Sequence, residues 1–340
     1  MAGADVLTVL DYDFMRRALL AALMVGTVAP LVGVFVVQRR LSLIGDGIGH
    51  VALAGVAVGL LTGGSPTWAA LVAAVLAAVA LELVRASGRT SGDLALAMLF
   101  YAGIAAGVVL VSLSPEGSAA NLVAYLFGSI TTTTASDLAL FAGLAVLVVL
   151  SVAVLGRTLY AVSDDEEFAR ASGLPVLAVN LVLSVLVAAT VVLSMRVVGL
   201  LLISALMVVP VALAQLVARS FAQTVVVASI TGVVVSLAGT TLSFYADTPS
   251  GGTIVLLAVL GFVVTAAGTL GVGRARAWRH RHRHSTPELH GDHVHHGEHV
   301  HGEAGCEHTP VLHRGHVDYV HDGHRHAPRL TRHGVGYDEH

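Results

Sequence analysis

Lysine is absent from the 340-residue sequence, so every fixed positive charge is an arginine. A Walker A loop places a lysine on the nucleotide phosphates, and this chain therefore cannot build one. The single cysteine, Cys306, excludes an internal disulfide. Charged residues make up only 12% of the chain, against about 25% in a typical soluble domain. That is too little polar surface to cover a water-soluble body of this length.

Hydrophobic residues make up 55% of the chain, and they are gathered in long runs. About 20 apolar residues suffice to cross a bilayer as a helix. We predict an all-α fold, a polytopic transmembrane helix bundle of about nine spans, with eight to ten possible. The segments are Met15–Val37, Asp46–Leu61, Thr67–Val84, Leu94–Leu113, Leu138–Gly156, Val176–Leu193, Val198–Ala218, Phe221–Phe244 and Thr253–Val272. Pro210 is expected to kink or break the seventh.

Histidine divides the chain into two parts. Of the 18 histidines, all but His50 lie between His280 and His340. We therefore predict an apolar, transmembrane body over residues 1–273 and a polar, His-rich tail over residues 274–340. The tail has few apolar residues and is expected to be disordered without metal.

Most arginines lie at the ends of the apolar segments or in the loops between them. If those loops face the cytoplasm, nine crossings satisfy the positive-inside rule. This topology predicts a multi-pass protein of the cell (plasma) membrane with a cytoplasmic tail.

Two ionisable residues open the second apolar segment. Asp46 and His50 are four residues apart, so a helix places them on one face. A carboxylate and an imidazole offer ligands suited to zinc or manganese, and ionisable groups at membrane depth usually mark a pathway or site. Alternatively, Asp46 pairs with Arg39 or Arg40 or caps the helix, and His50 is a hydrogen-bonded core residue. Gly45, Gly47 and Gly49 leave room either for an ion or for tight packing.

The loop from Arg157 to Pro175 predicts a short helix between two spans. Ser163 and Glu166 have the spacing of a capping box, and the acidic residues suit a helix N-terminus. Gly173 offers a left-handed end, and Pro175 prevents continuation. A plain loop with an interfacial helix is the alternative. Glu82, Asp93 and Asp247, the other acids near segment ends, are expected to be interfacial.

The tail carries histidines at spacings of one, two and three. Candidate metal ligands of low specificity are His293, His295, His296, His299 and His301. Such a segment can close labile zinc, nickel or copper sites. A pH-responsive or solubilising role is the alternative.

Five stretches together resemble the membrane permeases of the metal-uptake ABC transporters, the family that imports zinc, manganese or iron. They are Val36–His50, Tyr125–Ile130, Asp164–Pro175, Val197–Pro210 and Asp247–Gly252, in an order and spacing that cover about residues 14–272. The resemblance implies a homodimer, an ATPase dimer on the cytoplasmic side and an extracytoplasmic metal-binding lipoprotein. ATP would then bind to the partner, and this chain would be a transport subunit rather than an enzyme.

The resemblance also assigns residues. Asp46 and His50 correspond to the acid–histidine pair of the metal pathway. The helix that couples the permease to the ATPase corresponds to Asp164, Asp165, Glu166, Glu167, Phe168, Ala169 and Gly173. The histidine-rich tail, which lies outside the common core, favours zinc as the transported ion.

Two other functions fit the same residues. One is a proton-coupled secondary metal transporter, although such carriers usually place two Asp/His pairs on neighbouring spans. The other is a membrane-anchored metal sensor or buffer, for which so many spans are excessive.

Overall fold

The structure is a computed structural model that describes residues 11–89, 91–113, 128, 134–195, 199–283, 309–313, 316–321, 324–331 and 334–339. The chain forms two compact units, Met1–Arg276 and Ala277–His340. Ten helices occur in the described residues. They are α1 (Asp13–Gln38), α2 (Ile44–Leu61), α3 (Pro66–Ala86), α4 (Gly92–Ser112), α5 (Ala135–Asp164), α6 (Glu166–Ala171), α7 (Val176–Ser194), α8 (Leu200–Val217), α9 (Phe221–Ala246) and α10 (Ser250–Arg283).

The predicted polytopic helix bundle is confirmed. Within the described residues, eight helices are long and apolar enough to cross a membrane, and the apolar stretch Leu202–Val217 is shorter. Every predicted apolar segment corresponds to one of these nine helices. Pro210 lies inside α8 and the helix continues through it, so the segment is not broken there; the kink stays a prediction.

Local signals explain where several helices begin. The Ser91 and Ser220 side chains accept hydrogen bonds from the backbone N–H groups of Leu94 and Gln223, which caps α4 and α9. Thr134 and Asp137 form a reciprocal capping box at the start of α5.

The helices α1 and α2 each pack against four others. The helix α1 packs against α5, α7, α8 and α9, and α2 packs against α3, α4, α7 and α8. Within its most apolar window, 72% of α1 is buried, against 11% of α10. Apolar side chains on the outer helices remain exposed, such as Val146 on α5 and Leu256 on α10. An apolar exterior around a packed interior suits a lipid environment.

Glycines permit the closest helix contacts. A Cβ added at Gly26 on α1 would lie 2.7 Å from the carbonyl oxygen of Gly232 on α9, and one added at Gly33 would overlap the backbone of Met207 on α8. Small residues at such crossings are typical of helix packing in membranes.

The second unit contains a four-stranded antiparallel sheet in the order β1 (Thr309–His313), β2 (His316–His321), β3 (His324–Thr331) and β4 (Gly334–Glu339). The prediction that the tail is disordered without metal stays a prediction. Alternation of apolar and polar residues, as in Val317, Tyr319 and their neighbours, suits a strand. Residues 284–308 lie outside the described residues, and the prediction for them stays a prediction.

Candidate functional site

The predicted pair Asp46 and His50 lies at the start of α2, with Asp46 in its first turn. His50 is one helical turn further along and is half-buried, with its ring edge-on to that of Phe100 at a centroid distance of 4.8 Å. Among the side chains that the structure describes, no group of three or more His, Cys, Asp or Glu is arranged to hold a metal ion. One chain therefore presents two potential ligands at this point, fewer than a closed metal site needs.

The glycines around the pair serve close packing within the chain. A Cβ added at Gly45 would lie 3.3 Å from the Cβ of Ser204 on α8, and one at Gly47 would lie 3.0 Å from Leu96 Cδ1 on α4. A Cβ at Gly49 would overlap the Leu200 side chain. Of the two readings left open for these glycines, the structure favours tight packing.

A residue that the sequence did not reveal holds the carboxylate of the pair. Ser204 Oγ donates a hydrogen bond to Asp46 Oδ1 at 2.5 Å. Ser204 is 6% exposed and comes from the first part of α8. The rotamer of Asp46 is thus tied to the position of another helix.

The alternative role of Asp46 as the ion-pair partner of Arg39 is not observed. Arg39 Nη2 instead lies 3.2 Å from Glu82 Oε1 on α3, and both side chains are almost fully buried. Arg85 Nη1 reaches the same carboxylate at 3.0 Å. Asp46 lies in the first turn of α2, where its negative charge interacts favourably with the helix dipole whether or not it also binds an ion.

Glu82, one of the acids predicted to be interfacial, is buried within the bundle, and its depth in the membrane stays a prediction. It is 2% exposed, and besides both arginines it accepts a hydrogen bond from Ser184 Oγ on α7 at 3.4 Å. Burial lowers the pKa of Arg39 from its ordinary value, whereas the charge of Glu82 acts to raise it. The cluster Arg39, Glu82 and Arg85 therefore joins the end of α1 to α3 and α7 through buried charge.

The predicted short helix after α5 is present as α6, but its start differs from the prediction. Ser163 and Asp164 belong to the last turn of α5, and Asp165 is the N-cap of α6, its side chain accepting a hydrogen bond from the Phe168 N–H at 2.8 Å. The capping box of Ser163 with Glu166 is therefore wrong. The reason is that α5 continues without interruption to Asp164.

The end of α6 follows the sequence. Gly173 has a φ of +79°, and the Leu174 N–H bonds to the Ala169 carbonyl at 3.0 Å, a Schellman-type end. Ala169 is buried, whereas Phe168 is 68% exposed. Glu166 and Arg170 form an exposed ion pair at 3.0 Å, and Glu167 is exposed as well. The helix thus presents an aromatic ring and charges on one outward surface.

A cavity adjoins both α6 and the buried charge cluster, and a hydrogen bond joins the ends of α1 and α5. Gln38 Nε2 at the end of α1 donates to Asp164 Oδ1 at 2.7 Å. A cavity of about 200 Å³ is lined by Glu82 and Arg85 of the cluster, by Glu166 and Arg170 of α6, and by Asn180 of α7. A displacement of α6 would therefore act directly on the surroundings of Glu82.

The tail histidines predicted as metal ligands, His293, His295, His296, His299 and His301, all lie outside the described residues. The stretch Tyr125–Ile130 does so as well, apart from Gly128.

Comparison with known proteins adds the family. The profile of the ABC 3 transport family matches residues 11–268. The chain belongs to this family. The resemblance to the permeases of metal-uptake ABC transporters is thereby confirmed, and the chain is a multi-pass transport subunit of the cell membrane rather than an enzyme.

Curated relatives in this family cover most of the bundle. The chain is 34% identical over 267 residues to a probable metal transport system membrane protein of Treponema pallidum, covering 78% of this chain and 99% of that one. It is 31% identical over 249 residues to the manganese transport system membrane protein MntC of Halalkalibacterium halodurans, covering 73% and 85%.

A solved structure agrees with the fold of this ABC 3 permease. It is PsaBC from Streptococcus pneumoniae in complex with Fab, with a TM-score of 0.69 and 29% identity, covering 77% of this chain and 95% of that chain. An inward-facing putative metal-chelate type ABC transporter, at 18% identity and a TM-score of 0.61, shares the fold.

Proposed function

We propose that the chain is the membrane permease of an ATP-driven importer for a divalent transition metal, and that the ion passes Asp46 and His50. The observation that carries this proposal is the half-exposed acid–histidine pair at the start of α2 in a member of the ABC 3 transport family. An oxygen and a nitrogen ligand together suit zinc or manganese.

A homodimer would complete the coordination of the ion. One copy offers two ligands, whereas two copies facing each other offer two carboxylates and two imidazoles. Because release must follow binding, a site shared between subunits that separate during transport is chemically suitable.

The energy would come from an ATPase dimer docked on α6. The absence of lysine excludes a Walker A loop in this chain. Exposed Phe168 beside the charges of Glu166, Glu167 and Arg170 is the kind of surface that fits a groove on a partner. An extracytoplasmic metal-binding lipoprotein would deliver the ion, and the arginine distribution favours a cytoplasmic tail.

Two metals remain as candidate cargo, each favoured by a separate observation. The histidine-rich tail favours zinc, since neutral imidazole is a common ligand of zinc in proteins. Relatives named as manganese permeases favour manganese. Competition between radiolabelled zinc and manganese in vesicles containing the permease and its partners would decide between them.

The pathway assignment is tested by Asp46→Ala and His50→Ala. Both variants should abolish metal-dependent growth and uptake while dimer assembly survives. Asp93→Ala, which removes an exposed acid at the start of α4, is the matched control and should transport normally. Normal uptake by both pathway variants would overturn the assignment. Uptake by the purified permease without any ATPase would instead favour a proton-coupled carrier.

A further inference from the structure

The cavity beside α3, α6 and α7 also borders the start of α4. Gly92, the first residue of α4, lines it together with Arg85, Arg170 and Asn180. Its volume is about 200 Å³, whereas about 10–15 Å³ suffices for one water molecule. The cavity is therefore large enough for a small polyatomic ion.

Positive charge exceeds negative charge around this cavity. Arg39 and Arg85 share the carboxylate of Glu82, at 3.2 and 3.0 Å. Arg170 on the rim is paired with Glu166. Three arginines against two glutamates leave one positive charge unbalanced in this group. Because an unbalanced buried charge is costly, an anion is favoured in the adjoining cavity.

The start of α4 brings hydrogen-bond donors to the same place. The first N–H groups of a helix have no partner within it, and the Ser91 side chain accepts a hydrogen bond from that of Leu94. A Cβ added at Gly92 would lie 3.1 Å from Arg85 Nε, so the guanidinium lies against this helix end. A helix N-terminus beside a guanidinium is a combination that suits a phosphate group.

Two buried polar atoms of cavity-lining residues have no hydrogen-bond partner in the part of the chain that the structure describes. They are Arg85 Nε and Asn180 Oδ1, and Asn180 is only 2% exposed. Unpaired buried polar groups are costly and call for a ligand, ion or water. The amide of Asn180 also carries two N–H donors, and rotation of the amide would turn them toward an anion.

We propose that this cavity binds a phosphate group, held by Arg85, Arg170, Asn180 and the N-terminus of α4. Inorganic phosphate or the headgroup of an anionic phospholipid supplies the group, since the cavity lies where α3 ends and α4 begins. Because Arg170 belongs to α6, the bound anion joins α6 to α3, α4 and α7. The site is separate from Asp46 and His50 and does not depend on which metal is transported.

The test measures binding of radiolabelled inorganic phosphate to the delipidated full-length chain in detergent. EDTA is present so that no metal ion bound by the tail captures phosphate. We expect saturable binding of one equivalent and an unfolding temperature that rises with phosphate concentration. Asn180→Leu should weaken binding by about tenfold or more, because a hydrogen bond to a charged group contributes at least this much.

The stability of Asn180→Leu without phosphate shows whether that variant still folds. Leucine is close to asparagine in size and removes the unpaired oxygen, so the unfolding temperature without phosphate should hold or rise. The rise on adding phosphate should be lost. An undiminished rise in this variant would overturn the site.

Arg170→Ala and Arg16→Ala are a matched pair of changes. Each removes an exposed arginine from an ion pair within one helix, Arg170 from Glu166 at 3.0 Å and Arg16 from Asp13 at 2.8 Å. Only Arg170 lines the cavity. Its loss should weaken phosphate binding by about threefold or more, less than for Asn180 because its side chain is 67% exposed. Arg16→Ala should leave binding unchanged, and equal losses from both would overturn the site.

Lipid nanodiscs distinguish the two sources of the phosphate group. Native mass spectrometry compares retention of phosphatidylglycerol with that of zwitterionic phosphatidylcholine. Selective retention of one phosphatidylglycerol, lost in Asn180→Leu and Arg170→Ala, would assign the site to a lipid headgroup. Binding of free phosphate that phosphatidylglycerol does not displace would assign it to the aqueous ion. Binding of neither probe would overturn the site, and none of these results bears on the metal pathway.

Discussion

The hydroxyl of Ser204 on α8 donates a hydrogen bond to the carboxylate of Asp46 on α2, joining residues 158 positions apart in sequence. The same helix contacts α1, where Gly33 meets the backbone of Met207. A shift of α8 relative to α2 would therefore change the hydrogen bonding of Asp46. In the proposed pathway, this bond makes the availability of the carboxylate to an ion depend on helix position.

Replacing Ser204 by alanine should impair metal uptake without unfolding the bundle. A hydrogen bond to a charged group contributes about 1.5–3 kcal/mol, and 1.4 kcal/mol corresponds to about tenfold in an equilibrium. We expect Ser204→Ala to change the metal concentration for half-maximal uptake by about tenfold or more, measured in vesicles with the partner subunits.

The control for this change is Ser236→Ala. Ser236 is fully buried on α9, and its hydroxyl has no hydrogen-bond partner in the described part of the chain. Its removal should leave the half-maximal concentration unchanged. Equal effects from both serines would show that general packing, rather than the bond to Asp46, is responsible.

Removing the charge of Glu82 should destabilise the bundle. Glu82→Gln leaves Arg39 and Arg85 without their shared carboxylate, and breaking a buried ion pair by removing one partner costs about 3–5 kcal/mol. Asp13→Asn breaks an ion pair of similar length whose two side chains are 56% and 79% exposed, and such pairs contribute about 0–1 kcal/mol. Thermal unfolding of the purified variants in detergent should show a large decrease for the first and almost none for the second. Similar unfolding temperatures would contradict a structural role for the cluster.

Glu82 and Ser204 also show where sequence reasoning stops. Apolar runs predicted the nine helices because lipid imposes length and composition on each helix separately. The partners of Glu82 lie on α1 and α7, and the partner of Asp46 lies on α8, so their roles depend on which helices are neighbours. No local pattern contains that information.

The boundary between α5 and α6 also depends on more than the local sequence. Ser163 and Glu166 have capping-box spacing, but the apolar face of α5 continues to Val162, which is buried, and the helix extends past the serine. Asp165 then caps α6.

Phe168 should be required for coupling to the ATPase and not for folding. Its side chain is 68% exposed on α6, so Phe168→Ala removes little contact within the chain. We expect ATPase co-purification and metal uptake to fall by an order of magnitude or more, since buried aromatic anchors commonly dominate binding energy at interfaces. Trp68→Ala, at a residue 62% exposed on α3, should retain the ATPase. If the Phe168 variant still co-purifies with the ATPase, the ring of Phe168 is not the contact through which α6 binds it.

Two glycine-to-alanine changes should have opposite effects on the stability of the bundle. At Gly33 the added Cβ overlaps the Met207 backbone, and overpacking of this kind costs about 1–3 kcal/mol. At Gly143 on α5 nothing lies within 4 Å of the added Cβ, so the better helix propensity of alanine should stabilise by up to about 1 kcal/mol. Unfolding temperatures that fall for Gly33→Ala and hold or rise for Gly143→Ala would support the close crossing of α1 and α8. A neutral Gly33→Ala would contradict it.

Deletion of residues 280–340 should separate transport from the predicted binding of metal by the tail. The family match ends at residue 268, and the described residues of the pathway, the charge cluster and α6 all precede the deletion. We therefore expect uptake to persist with nearly the same maximal rate, while its dependence on metal concentration changes, because the tail would no longer bind ions near the membrane. Complete loss of uptake on deletion would instead place the tail in the transport pathway.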